Sequence, residues 1–127
     1  MASIVFDASA IIALIRAEKG WNRVAEAMPK AVMCAVNVSE VSAKLAEWGS
    51  DRASIEKTRA VLADLIEPFD AELAWQAGQL RPVTKSHGLS LGDRACLALA
   101  QKLGVPAMTA DKAWAKLDIG IKIEVIR

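Results

Sequence analysis

A chain of 127 residues has about the length of one domain, enough to bury a single core. Lys and Arg number 16 against 15 Asp and Glu, a net charge of +1, which argues against a polyanion binder that works by bulk charge alone. The hydrophobic fraction is 54% and the aromatic fraction 5%, so the core is expected to be aliphatic and alanine-rich, as where helices pack on a sheet.

The first apolar run, Ser3 to Ile15, has no basic residues before it and is interrupted by Asp7. Arg16, Glu18 and Lys19 then end it too soon to span a bilayer. It is expected to be a buried strand, Ser3 to Phe6, followed by a helix from Ala8 to Ala17, in a cytoplasmic protein. A second helix is predicted from Gly20 to Met28, stopping at Pro29. Ala31 to Ala35 is another short apolar strand candidate, and a helix from about Val38 to Trp48 follows, ended by Gly49.

Ile55, Val61, Leu62, Leu65 and Ile66 recur at helical spacing, so an amphipathic helix is predicted over Arg52 to Leu65. Ile66 to Phe69 fits only an edge strand, because Pro68 cannot donate in a central one. Leu73, Ala77 and Leu80 mark a helix that Pro82 should kink or end. Leu91 to Leu103 is a helix so apolar from Ala95 onward that it must be buried. Val105 to Ala110 is a strand candidate, a short helix starts at Lys112, and Ile121 to Ile126 alternates with period two. Alternating strands and helices, with uniformly apolar strands, predict an α/β/α sandwich around a mostly parallel sheet, in one domain covering residues 1–127.

Four acids fall just after the predicted strands or at helix starts: Asp7, Glu40, Asp93 and Asp111. Singly, each suits a helix cap, and Asn37-x-x-Glu40 and Ser90-x-x-Asp93 both have capping-box spacing. Together they suit something else. In a doubly wound sheet these junctions gather at the carboxyl edge, where binding crevices form. Two carboxylates about 5 Å apart repel by roughly 3 kcal/mol at an effective dielectric near 20, whereas a cap contributes about 1 kcal/mol. A hard divalent cation, Mg²⁺ or Mn²⁺, would offset that repulsion. Position alone does not select the four, since Asp70 and Glu72 also open a helix, but the strand before them is expected at an edge.

Other chemistries lack their residues. Asp7 is followed by Ala8 and Ser9, so neither the acidic pair of a phospho-acceptor domain nor the second aspartate of a haloacid-type phosphatase is present. No Gly-rich phosphate loop or Ser/His/Asp order occurs. The lone His87 has no ligand-type neighbour. Cys34 and Cys96 stand far apart in apolar surroundings and are expected to be buried, reduced thiols. The tryptophans, Trp21, Trp48, Trp75 and Trp114, are scattered singly, as core or interface residues would be.

The stretches IVFDASAI, NVSEVSAKL, LSLGDRACLALA and MTADKAW, in this order, resemble a PIN-domain ribonuclease of the VapC toxin type. The resemblance runs from Ile4 to beyond Trp114. It implies a five-stranded, mostly parallel α/β/α fold and a Mg²⁺- or Mn²⁺-dependent endoribonuclease. It further implies the toxin of a toxin–antitoxin pair, with a VapB-type antitoxin as partner and a homodimer as the common assembly. Asp7, Glu40, Asp93 and Asp111 become the metal-binding catalytic acids, with Ser9, Asn37 and Thr109 as hydrogen-bonding support.

Such a site hydrolyses RNA by metal-activated water and leaves a 5′-phosphate and a 3′-hydroxyl, without a histidine base. Divalent ions would turn a near-neutral chain basic, so the metal-loaded form is the expected RNA binder. Lys44, Arg81, Lys85 and Arg94 lie near the acidic motifs and are candidate contacts for a structured RNA such as a transfer RNA. Two other readings share the motifs: a PIN nuclease of RNA maturation without toxicity, and a non-catalytic metal- or partner-binding module.

Overall fold

The computed structural model describes all residues from Met1 to Arg127. Five strands form one parallel sheet: β1 (Ile4–Phe6), β2 (Ala31–Cys34), β3 (Ile66–Glu67), β4 (Ala107–Thr109) and β5 (Ile123–Val125). Their order is β3-β2-β1-β4-β5. The chain therefore starts in the middle and reverses direction between β1 and β4, which puts a topological switch point beside β1. The central strands β1 and β4 are buried at every residue, while β3 is exposed at both of its residues. Ile66 to Phe69 thus supplies the expected edge strand, shortened to the two residues before Pro68.

Seven helices connect and cover the sheet: α1 (Ala8–Arg16), α2 (Trp21–Ala27), α3 (Ala35–Glu47), α4 (Arg52–Leu62), α5 (Ala71–Gln79), α6 (Arg81–Thr84) and α7 (Leu91–Leu103). Side-chain alternation along the strands sorts the core into two layers. Val5, Cys34 and Ala107 face a cluster built with α5, α7 and Trp114. Ile4, Phe6, Met33 and Met108 face the opposite cluster, built with α1, Val24 of α2, Val41 and Leu45 of α3, and Leu62 of α4. No helix is long and apolar enough to cross a membrane.

Helix α7 explains its own sequence. Ala95 through Ala100 are all buried, because one side of the helix lies on the sheet and the other is covered by α5. Gln76 of α5 ties the pair by donating to the Ala98 carbonyl at 3.2 Å and the Gln101 side chain at 2.9 Å. Pro82 falls in the first turn of α6, where a missing N–H breaks no helical bond.

One expectation needs correction. Helix α3 begins at Ala35, directly after β2, three residues before the predicted start. Asn37 therefore lies inside the helix, and the cap position belongs to Cys34, whose side chain makes no capping bond. The four tryptophans divide between core and surface. Trp114 is fully buried, but Trp21, Trp48 and Trp75 are exposed, Trp75 by 75%. Trp48 is covered in part by Arg16, whose guanidinium carbon stands 4.7 Å from the ring centre.

Candidate active site

Asp7 directly follows β1 at the switch point, and only 5% of its surface is exposed. It is the N-cap of α1: Oδ1 accepts from the Ala10 N–H at 3.0 Å and from the Ser9 hydroxyl at 2.7 Å. Oδ2 accepts from the Thr109 hydroxyl, at the end of β4, at 2.6 Å. Each hydroxyl in turn accepts a backbone N–H, Ser9 from Ala110 at 2.8 Å and Thr109 from Asp111 at 3.0 Å. A hydroxyl has one proton to give. Since both protons go to Asp7, the 3.2 Å approach of Ser9 to Thr109 is a contact between acceptors. The two residues lock the ends of β1 and β4 together around one carboxylate.

Burial raises the Asp7 pKa to about 6. The hydrogen bonds from Thr109, Ser9 and Ala10 oppose that rise, and the nearby charge of Asp93 adds to it. A desolvated carboxylate of this kind is costly in its charged form unless a cation joins it.

Asp93 sits three residues into the cap of α7 and completes the predicted capping box. Its Oδ2 accepts from the Ser90 N–H at 2.9 Å, and its own N–H donates to the Ser90 hydroxyl at 3.2 Å. Glu40 is placed differently from expectation, in the second turn of α3. Asn37, 1% exposed, donates through Nδ2 to Glu40 Oε1 at 2.8 Å and to the Gly92 carbonyl at 3.0 Å. It is a bridge from α3 to α7, not a cap. With two oxygens facing the amide nitrogen its orientation is unambiguous, and Oδ1 is left buried without a partner.

Beneath these groups lies Cys96, one turn on from Asp93. Burial pushes its thiol well above the usual cysteine range, and the charges of Asp7, Cys34, Asp93 and Glu40 add to the rise. Glu40 thus reaches the same end of α7 as Asp93, against Gly92, and Asp93 lies near enough to Asp7 to add to the rise there. Asp111 stands at the rim, its backbone N–H held by Thr109 and its Oδ1 turned to cap the turn Lys112–Lys116 through Ala113, 2.9 Å away.

No three carboxylate, thiolate or imidazole groups close into a ready-made cage for a metal ion. The donor set still fits a hard divalent cation. Glu40, Asp93 and Asp111 each use one carboxylate oxygen in these bonds and keep the other. Mg²⁺ commonly binds through one or two carboxylates and keeps several waters, so a preformed cage is not required.

The candidate RNA contacts separate. Lys44 lies one turn beyond Glu40 and pairs with Glu47 at 3.5 Å on the surface. Arg81 and Lys85 are exposed on α6 and the turn after it. Arg94 points the other way: Nη1 donates to the Ala77 carbonyl at the end of α5, 3.2 Å away, and Nε is buried without a partner. Two lysines that sequence reasoning passed over, Lys112 and Lys116, are exposed on the turn that Asp111 caps. Their signal was adjacency to Asp111.

A family model for the PIN domain matches residues 4–120. The chain belongs to the PIN-domain family. Comparison with functionally curated proteins returns no match. Solved structures similar to this PIN domain include a toxin–antitoxin complex from Klebsiella pneumoniae, 22% identical over 98% of both chains, with a TM-score of 0.76. VapC20 from Mycobacterium tuberculosis, described as a toxin cleaving the sarcin–ricin loop, is 21% identical with a TM-score of 0.75. That match covers 94% of this chain and 99% of the other. DNA-bound VapBC from Salmonella typhimurium is 18% identical over 100% of both chains, with a TM-score of 0.71. At these identities the likeness is one of fold, and this PIN domain shares the five-stranded VapC architecture nearly end to end.

Proposed function

We propose that this PIN domain is a Mg²⁺- or Mn²⁺-dependent endoribonuclease, the toxin of a VapBC-type pair, cleaving a structured RNA such as a transfer RNA. The observation that carries the reading is the packing of Glu40 on Gly92, one residue before Asp93, together with Asp7 enclosed and desolvated at the sheet's switch point. A buried carboxylate with the charge of a second acid adding to its cost is difficult to account for by folding alone.

Asp7, Glu40, Asp93 and Asp111 would hold the divalent cation, which when bound supplies positive charge to the scissile phosphate and acidifies an attacking water. The chain's own residues do the positioning. Ser9 and Thr109 fix both oxygens of Asp7, and Asn37 fixes Glu40 against α7. Coupled acids around one centre share protons, so the general base is the cluster and no single member of it.

The toxin assignment is supported by similar structures whose descriptions name VapBC and toxin–antitoxin complexes. In that setting the partner is a VapB-type antitoxin, the assembly a homodimer and the compartment the cytoplasm. The test is direct. Purified protein should cleave labelled RNA with Mn²⁺ or Mg²⁺ and lose cleavage in chelator or on Asp93→Asn. Cleavage by that variant at the unsubstituted rate would refute the assignment. Expression should arrest growth, and co-expression of the cognate antitoxin should relieve it.

A further inference from the structure

We propose that Lys112 and Lys116 on one side of the acidic site, and Lys44 on the other, hold phosphates of the bound RNA. The strand then crosses the carboxyl edge of the sheet along the order β2–β1–β4. The inference rests on the ribonuclease reading and adds the path of the substrate to it.

The argument starts from the sheet. All strands are parallel, so β2, β1 and β4 deliver their acids to the same edge. Two strand spacings, about 10 Å, separate β2 from β4 there. Along that line stand Glu40 on the helix that follows β2, Asp7 after β1, and Asp111 after β4. Acids therefore occupy the middle, where a bound cation would supply positive charge, and they would repel phosphates bound beyond it. A strand that crosses needs positive charge at both ends.

Both ends have it. Lys44 is four residues from Glu40 and so on the same face of α3, about 6 Å further along the helix. Its pair with Glu47, in which both side chains are largely exposed, is of the kind that yields readily to a competing anion. Lys112 directly follows Asp111, and Lys116 continues the same exposed turn, about 8 Å on at the rise of a 3-10 helix. Trp114 and Leu117 bury the inner side of that turn, so its lysines are carried on a base anchored in the core. The competing path would run across the sheet toward α5 and α6. Arg81 and Lys85 are exposed there. But Arg94, next to Asp93 in sequence, is turned inward to the Ala77 carbonyl, so no cation on that side adjoins an acid as Lys112 adjoins Asp111.

Salt dependence of binding separates the paths, because each phosphate contact to a single strand contributes about 0.7 to the slope of log K against log salt. Three double variants, each lowering the net charge equally, are compared in the Asp93→Asn background with Mg²⁺. They are Lys112→Ala/Lys116→Ala, Arg81→Ala/Lys85→Ala, and Lys102→Ala/Lys122→Ala at the opposite, amino edge. The probe is a fluorescein-labelled single-stranded RNA read by anisotropy, with thermal melting to verify folding. The first pair should lose about 0.7 of slope per lysine, Lys44→Ala a similar step, and the amino-edge pair none. Equal slopes for the first and third pairs, or a loss confined to Arg81/Lys85, overturn the path while leaving the ribonuclease reading intact if the parent chain cleaves RNA. A parent chain that neither binds nor cleaves RNA overturns both.

Discussion

The carboxylate of Glu40 rests on the bare Cα of Gly92, so closely that a methyl group there would stand 2.6 Å from the carboxyl carbon. Gly92 is buried in the first turn of α7, one residue before Asp93. The glycine keeps α3 and α7 close enough for their acids to share a site. Gly92→Ala should move Glu40 and lower cleavage by about a hundredfold, the usual consequence of misplacing a catalytic group by an ångström. Glu40 is flexible and exposed, and alanine is the better helix former by about 1 kcal/mol. Thermal melting should therefore show little loss, and a collapse in melting temperature would contradict this account.

Asn37 tells a complementary story, because its amide serves two acceptors at once. Asn37→Ala removes both bonds, although the Gly92 carbonyl keeps its helical partner at Cys96, and should cost about 1–3 kcal/mol. Asn37→Asp should cost more, since it sets a carboxylate against Glu40 Oε1 and the Gly92 oxygen. Denaturant unfolding of the two variants gives the order directly.

Asp7 makes the metal-free protein pH-sensitive, in a direction opposite to most paired carboxylates. Its folded pKa, about 6, lies above the ordinary value of 3.8, so the native state binds the proton more tightly than the unfolded chain. Stability from this group is fully present below 3.8, falls as pH rises toward 6, and is flat above. The penalty at neutral pH is about 3 kcal/mol, at 1.36 kcal/mol per unit. Asp7→Asn should consequently raise the melting temperature at pH 8 and leave it nearly unchanged at pH 3.5. Mn²⁺ should raise that of the unsubstituted chain at pH 8 and do less for the variant.

The C-terminal strand is locked by a second close approach. Gly20 has φ of +93°, and a Cβ there would collide with the Ile126 carbonyl oxygen. Arg23 donates to the Val125 carbonyl at 2.8 Å, and Arg127 pairs with Glu18 at 3.5 Å, closing the chain end over the turn after α1. Gly20→Ala should destabilise by more than the 1–2 kcal/mol of the left-handed conformation alone, because the clash is with backbone. Thermal melting measures the loss, and cleavage at low temperature should persist.

Much of this molecule was legible in its residues. Apolar runs such as Ile4–Phe6 and Ala107–Thr109 announce strands covered on both faces, and helix stops at Gly49 and Pro82 fall where backbone chemistry puts them. Ser90 and Asp93 form the capping box their spacing implies. Asn37 and Glu40 share that spacing but are bonded for another purpose, since local sequence cannot say that a helix starts without a loop. Arg94 is next to Asp93 in sequence, yet its charge serves the end of α5.

The sequence by itself determined the secondary structure, the layer architecture and which acids were available, because periodicity, capping and burial act over a few residues. Only the tertiary structure decided what those acids are to one another. It took the β1–β4 junction to give Asp7 both its hydroxyl partners, and the contact of Gly92 with Glu40 to join α3 to α7. The charge state of Asp7 follows from that enclosure: desolvation is imposed by groups up to 102 residues away in sequence, and no local pattern encodes it.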